Sequence, residues 1–323
     1  MDYEVICRSE KGKDKEINED ALTYDLEKNI FIVADGMGGH NSAYTASHQA
    51  TEFMYGELIE LYDRLRQGEI TEDRIPRQLE RSIKRCNDFI CAPTRMLEVM
   101  DQFNSMQRRL LRAYESLTPL PQGADDGKEK VRSALDVCEA MASMPLGTLE
   151  SLRNMGTTLD ATIIFNGTAY IGHVGNGRVY NIRRHTHLSS GYMEQLTTEH
   201  VDYPPGADRL TRDQKTVLEM RLGLNSFIGK TGELKVDVVT ERLGPADTFV
   251  IVTDGVSHTV SYNELSHIMS GKWEYASDEL MKLIQEPEQM APIIADGQMS
   301  NSEVREKFGG RDDATFLAIR RLR

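Results

Sequence analysis

The stretch FIVADGMGGH, residues 31–40, runs an apolar segment straight into an aspartate and then spends the next four positions on three glycines and a methionine. Ile30–Ala34 reads as a buried strand, with β-branched and aromatic residues and no polar interruption. A plain turn needs one or two glycines. Asp35-Gly36-Met37-Gly38-Gly39 therefore reads as backbone brought close to something small and positively charged. The same arrangement returns far down the chain in TFVIVTDGV, residues 248–256, where a second apolar strand ends in Asp254-Gly255. Two further acidic spots flank strands: Glu19-Asp20 in INEDALTY and Asp312-Asp313 in GGRDDATFLAI. Asp at a strand end and Asp-Gly pairs are also ordinary turn chemistry. Four acids at the same kind of place are more than four turns, and they form a plausible nest for hard cations such as Mg²⁺ or Mn²⁺, which take oxygen ligands. Two such ions side by side activate a water and polarise a phosphoryl group. The glycine after Asp35 lets the backbone carbonyl reach a metal.

Outward from these strands, Tyr3–Cys7, Ala21–Tyr24, Thr157–Phe165, Thr168–Val174, Arg178–Ile182, Leu234–Thr240 and Thr315–Ile319 also read as short β runs bounded by Gly, Asn or Asp. Asn166-Gly167 between two of them predicts a type I′ hairpin. From Ser42 to about Leu152 the period changes to helical. One stripe runs Ala46, Ala50, Phe53, Met54, Leu58, Leu61, Leu65 and a second Ile75, Leu79, Ile83, Cys86, Ile90. A third, Met96 to Leu117, ends at the loop TPLPQGADDG, and a fourth, Val131 to Met141, closes at Pro145. Short helices follow from Asn263 to about Lys307, then a last strand. Strands, helices, strands, helices, strand, with hairpin links, predict an α+β fold: antiparallel sheets with helices packed outside.

Composition narrows the function. The chain has 323 residues and a net charge of −13, which argues against nucleic acid as a partner. Its four cysteines contain no C-x-x-C pair, so they read as reduced thiols of a cytoplasmic protein. The N-terminus has no apolar signal core, and no run reaches membrane-spanning length. No G-x-S-x-G elbow and no C-x5-R loop offers a nucleophile.

The segments NEDA (18–21), VADGMGGH (33–40), MGTTL (155–159), GHVGNGRVY (172–180), LTTEH (196–200), VTDGV (252–256) and GGRDDATFLAI (309–319), in that order, resemble the metal-dependent serine/threonine protein phosphatases of type 2C in their bacterial form. The resemblance implies one domain over 1–323: a four-layer αββα sandwich of two antiparallel sheets flanked by helices, with a helical insertion at 91–150 and a flap at 201–224. It implies two Mn²⁺ or Mg²⁺ ions, with Asp35 bridging, Gly36 donating a carbonyl, Asp254 and Asp312 adding carboxylates and Asp20 supporting the centre directly or through water. It implies attack of a metal-bound water on the phosphorus of a phosphoserine or phosphothreonine, with no phospho-enzyme. His40 beside the metal loop is then a candidate proton donor. Lys15 stands where the family has an arginine that grips phosphate with two parallel hydrogen bonds; lysine keeps the charge but not the fork, unless Arg8 reaches in. Arg209 and Arg212 of the flap are candidate contacts to a phosphopeptide. Asn176 and His258 replace two aspartates of the accessory shell, so a third metal site is expected to be absent or weak. The implied partners are a phosphoprotein substrate and a cognate serine/threonine kinase, with partner docking on the Met-rich insertion. The alternative is a weakly active or inactive phosphatase-fold module that binds phosphoproteins.

Overall fold

In the computed structural model, the residues described are 3–37, 40–116, 154–183, 192–285 and 311–322. They fall into two compact units, one formed by residues 1–90 with 155–323 and one by residues 91–154.

The first unit is built on two antiparallel sheets. One orders its strands β1 (Tyr3–Glu10), β11 (Ala314–Arg321), β10 (Thr248–Val252), β7 (Arg178–Arg183) and β8 (Tyr192–Gln195). The other orders β2 (Asp20–Asp25), β3 (Ile30–Met37), β5 (Leu159–Phe165), β6 (Thr168–Val174) and β9 (Asp237–Arg242), with the short β4 (Gly156–Thr157) pairing the end of β3. Period-two alternation explains how the sheets stack. Phe249 and Ile251 of β10 and Leu317 and Ile319 of β11 join Phe31, Val33 and Ile171 in one cluster between the sheets. Their neighbours Val250, Val252, Phe316 and Ala318 point the other way, into a second cluster with Leu265, Ile268 and Leu280 of the helices α5 (Tyr262–Ser270) and α6 (Trp273–Gln285). A strand buried on both faces reads as a continuous apolar run. Helix α1 (His40–Arg66) packs on β2 and β3 of the other sheet through Ala46, Ala50, Met54 and Leu58, all fully buried.

The hairpin at Asn166-Gly167 has both residues at positive φ, 50° and 76°, as a type I′ turn requires. Other expectations need correction. β3 does not stop at Ala34; Gly36 and Met37 pair with Thr157 and Gly156 and extend it. The expected strand Thr157–Phe165 breaks at Thr158, whose hydroxyl turns aside to accept from the Asp35 N–H at 2.9 Å. The strand expected from Leu234 begins at Asp237, where pairing with β6 starts at His173. β8 has no counterpart in the sequence reading. The second and third helical stripes are one helix, α2 (Ile75–Ser116), running through Pro93. Proline removes one helical N–H, and the turns around it are anchored by the buried Ile90, Cys91 and Leu97. The fourth stripe and the end of the predicted helical run lie outside the described residues.

Candidate active site

The two sheets bring their acidic strand ends to one edge. Asp20 and Asp35 lie directly opposite each other in the β2–β3 register. Asp254 opens the short helix α4 (Asp254–Ser257) after β10, and Asp312 precedes β11, the strand β10 pairs with. A cavity of about 590 Å³ opens at this edge, and Lys15, Glu19, Asp35, Gly36, Asn176, Asp254, His258 and Asp312 line it.

Both Asp-Gly pairs are explained by close approach. A Cβ on Gly36 would lie 2.3 Å from the Ala43 carbonyl oxygen and 2.8 Å from that of Glu19. One on Gly255 would lie 1.9 Å from the carbonyl oxygen of Asp313. No side chain fits at either point, so each acid is followed by backbone packed on backbone.

The carboxyls are perturbed as a group. Burial, opposed by hydrogen bonds from Thr315 and Thr253, lifts the Asp20 carboxyl to about 8. Burial and then the charges of Asp20, Asp254 and Asp312 push Asp35 well above the ordinary carboxylate range. Burial acts the same way on Asp254, but the His258 imidazole and hydrogen bonds from Asp35 and Asn176 outweigh it and hold that carboxyl below its usual value. Burial and Asp254 raise Asp312, against the pull of Lys15. Like charges crowded into low dielectric are unfavourable unless a cation joins them. Two buried oxygens, Asp20 Oδ1 and Asp254 Oδ1, have no hydrogen-bond partner.

The donor set is all oxygen, which suits Mg²⁺ or Mn²⁺. Among the described residues, however, no three acidic, imidazole or thiolate side chains converge as a ready-made cage. Three of the carboxylates instead have a local partner. Thr253 Oγ1 donates to Asp20 at 3.0 Å, Asn176 Nδ2 donates to Asp254 at 3.0 Å, and Lys15 Nζ sits 3.1 Å from Asp312.

Lys15 is also 2.5 Å from Glu19 and 4.0 Å from Asp313. Arg8 does not reach in, because it pairs with Glu10 and Asp278 on the surface. Arg209 and Arg212 do not line the cavity; the Arg212 guanidinium lies 4.0 Å from the centre of the Tyr262 ring. The side chain of His40 lies outside what is described. Asp313 has a different part from Asp312. It is buried, and its two oxygens accept from the Gly12 N–H at 2.8 Å and the Glu19 N–H at 2.7 Å, clipping the Lys15 loop to the last strand. Sequence spacing alone does not separate these two adjacent acids.

Glu219 was not among the sequence candidates. It ends α3 (Arg212–Glu219), lines the cavity, and forms a 2.6 Å ion pair with Arg178 at the start of β7. Arg178 also pairs with Glu199 at 2.6 Å and donates to Thr216 at 3.0 Å. The missed signal was a buried-strand arginine, since a lone arginine at the start of an apolar strand needs carboxylates from elsewhere.

The loop carrying Asn176 rests on two histidines whose rings are 4.8 Å apart. His173 Nδ1 faces Asp160 at 2.8 Å and Nε2 faces the Thr198 carbonyl at 3.1 Å, so both nitrogens donate and the ring is an imidazolium. His200 Nδ1 accepts from the Gly175 N–H at 3.2 Å, so His200 is neutral and donates from Nε2 to Asp237. The pKa directions agree. Burial opposes charge on His173 but Asp160 outweighs it and raises the group, whereas burial and the charge on His173 lower His200. A histidine with a raised folded pKa contributes stability that is complete below its unfolded value of about 6.5 and is lost as pH rises through the folded value. Imidazole NMR titration should give a midpoint above 6.5 for His173 and below 6.5 for His200, and melting temperature should decline above neutral pH. The reverse order of midpoints would overturn this assignment.

The family model for protein phosphatase 2C matches residues 9–296. The chain belongs to the protein phosphatase 2C family. A serine/threonine phosphatase of Listeria monocytogenes is 23% identical over 276 residues, covering 82% of each chain. Serine/threonine phosphatase Stp1 from Staphylococcus aureus has the same fold, with a TM-score of 0.62 at 18% identity over 100% of this chain and 96% of its own. The catalytic domain of PstP, solved in complex with two manganese ions, superposes with a TM-score of 0.58 at 18% identity over 99% of both chains. The two facing antiparallel sheets with flanking helices are thus the protein phosphatase 2C architecture. Among the described residues, no helix is long and apolar enough to cross a membrane.

Proposed function

We propose that this phosphatase hydrolyses phosphoserine and phosphothreonine in proteins, using two Mn²⁺ or Mg²⁺ ions held by Asp35, Asp254 and Asp312, the Gly36 carbonyl and, directly or through water, Asp20. The observation that carries the reading is that acids from β3, α4 and the approach to β11 line one cavity, with Asp20 paired opposite Asp35 and buried oxygens of Asp20 and Asp254 left unpartnered. The manganese ions of PstP support a divalent cation in this chain. When bound, the ions supply a nucleophilic water at neutral pH and neutralise phosphoryl charge.

The chain's own residues do the rest. Asn176 orients Asp254 by hydrogen bond, Thr253 orients Asp20, and Asp313 clips the loop that carries Lys15 over the cavity. Lys15 presents its ammonium group to the substrate phosphate. Asn176 and His258 add no carboxylate beside Asp254, so a third ion is held weakly or not at all. The substrate's phosphoryl group comes from a serine/threonine kinase in the cytoplasm, and the insertion at 91–150 is a surface for a partner protein. The binding-module alternative is disfavoured because the acids of the two-metal set are all present.

Hydrolysis of p-nitrophenyl phosphate and a phosphothreonine peptide, titrated with Mn²⁺ and reversed by EDTA, tests the reading; no turnover at any metal concentration would end it. Lys15 gives a second expectation. It is an ion-pair partner of Asp312 and so competes with a metal for that oxygen. Lys15→Met should bind Mn²⁺ more tightly by calorimetry while kcat/KM for the phosphopeptide drops about tenfold, the loss of one charge-assisted hydrogen bond. Weaker Mn²⁺ binding in the variant would contradict the competition.

A further inference from the structure

The cavity lining is of two kinds. The acids, Lys15, Asn176 and His258 are one. The other is apolar and part-exposed: Met37 from the end of β3, with Met220, Leu222 and Leu224 from the segment after α3. Phosphate and metal chemistry use only the polar residues, so the apolar ones are available to something else. This apolar wall is also preformed. The Arg178–Glu219 ion pair fixes the end of α3. Backbone hydrogen bonds fix the segment that follows: Leu222 N–H to Glu219 at 2.9 Å, Asn225 N–H to His200 at 2.8 Å, and reciprocal bonds of 2.8 and 2.9 Å between Ile228 and Thr157. At the far end, Met37 and Phe227 flank Gly156, at 3.1 and 2.9 Å from where its Cβ would stand.

We propose that this wall selects substrates in which a large apolar side chain lies next to the phosphoserine or phosphothreonine. The inference rests on the hydrolase reading given above and names its substrate class. A phosphoseryl side chain is short, so the peptide backbone must pass close to the acids for its phosphate to reach them. Successive Cα atoms are about 3.8 Å apart, which brings the adjacent side chain against Met220, Leu222 and Leu224. An aliphatic group there removes apolar surface from water on both sides. An acidic one meets Glu19 and Glu219, whose cations Lys15 and Arg178 are already paired with them.

The test uses the full chain with Mn²⁺ and phosphoserine peptides identical except for Leu, Ser or Asp immediately before or after the phosphoresidue. On one of the two sides, Leu should exceed Ser in kcat/KM by about tenfold, the discrimination a partly formed apolar pocket provides, with Asp lowest. Leu222→Ser should bring the Leu-to-Ser ratio close to one; a ratio is insensitive to a general loss of active protein. A ratio near one in the unaltered protein, or an unchanged ratio in the variant, overturns the inference even if p-nitrophenyl phosphate is hydrolysed well. If no peptide turns over, the hydrolase reading falls, and fluorescence anisotropy of the same labelled peptides decides the wall separately. Tighter binding of the Leu peptide supports it and equal binding sinks it.

Discussion

Asp35→Asn should lower phosphopeptide turnover by about a thousandfold and at the same time make the protein more stable. The loss follows from the proposed role of Asp35 in holding the ions: an amide offers a neutral oxygen where a carboxylate's charge would be needed, and electrostatic stabilisation worth several kcal/mol is on the order of 10³ in rate. The gain follows from the site's own geometry. Asp35 faces Asp20 across paired strands and is half-buried near Asp254 and Asp312. Like charges directly opposite in a sheet cost up to about 1 kcal/mol, and removing one should raise the melting temperature by roughly 2–4 °C. The pH dependence has a definite sign. An acid whose folded pKa is raised favours the folded state when protonated; that contribution is full below the unfolded pKa of about 4 and is lost as pH climbs to the folded value. For Asp20 that window ends at about 8. Stability measured without added metal should therefore decline between pH 5 and 8, and decline less in Asp35→Asn. Mn²⁺ at a hundred times its dissociation constant adds about 2.7 kcal/mol by mass action, so it should raise the melting temperature of the unaltered protein by about 5 °C and that of the variant far less. Retention of activity within tenfold, or a fall in stability, would remove Asp35 from the centre.

The acids at strand ends were legible in the sequence because they break a strong local pattern. An apolar strand that ends in Asp-Gly is visible without any partner, and two of them with matching flanks point to one sheet edge. The layered fold was legible for the same reason: period-two and period-3.6 stretches alternate along the chain, and Asn166-Gly167 marks its own hairpin. What stayed hidden depends on contacts between segments remote in sequence. Asp312 and Asp313 are adjacent and chemically identical, and only the fold turns one to the cavity and the other to the Gly12 and Glu19 N–H groups. Glu219 looks like a solvated helix residue until Arg178, 41 positions earlier, is placed beside it. Arg209 and Arg212 show the converse. Their charge suggested phosphate contact, yet local packing puts Arg212 on Tyr262. His173 and His200 give no signal of charge state in sequence, because that is set by whether each ring nitrogen meets a carbonyl, a carboxylate or an N–H.

The second large effect is expected at Arg178, which touches none of the proposed metal ligands. Its side chain is buried between Glu199 and Glu219, and the Tyr203 hydroxyl donates to Glu219 as well. Burial disfavours the charge on such a group, but the surrounding Tyr180, Glu219 and Glu199 outweigh it and raise its pKa. Arg178→Met fills a similar volume and leaves two carboxylates without their cation. Removing one partner of a buried pair costs about 3–5 kcal/mol, so the melting temperature should fall by about 10 °C. Replacing the pair together, Arg178→Met with Glu219→Gln, removes one of the stranded charges and should recover at least about 1 kcal/mol relative to the sum of the single changes. The consequence for activity separates this residue from a purely structural one. α3 is held through Thr216 and Glu219, so without Arg178 the Met220–Leu224 segment loses its anchor while the acids of β2, β3 and β11 keep theirs. Turnover of p-nitrophenyl phosphate by the protein that remains folded should then fall less than turnover of a Leu-flanked phosphopeptide. Equal losses for both substrates would mean that Arg178 stabilises the sandwich without positioning the wall, and a melting temperature within a degree or two of the unaltered protein would mean that the ion pair is not buried in the way its geometry indicates.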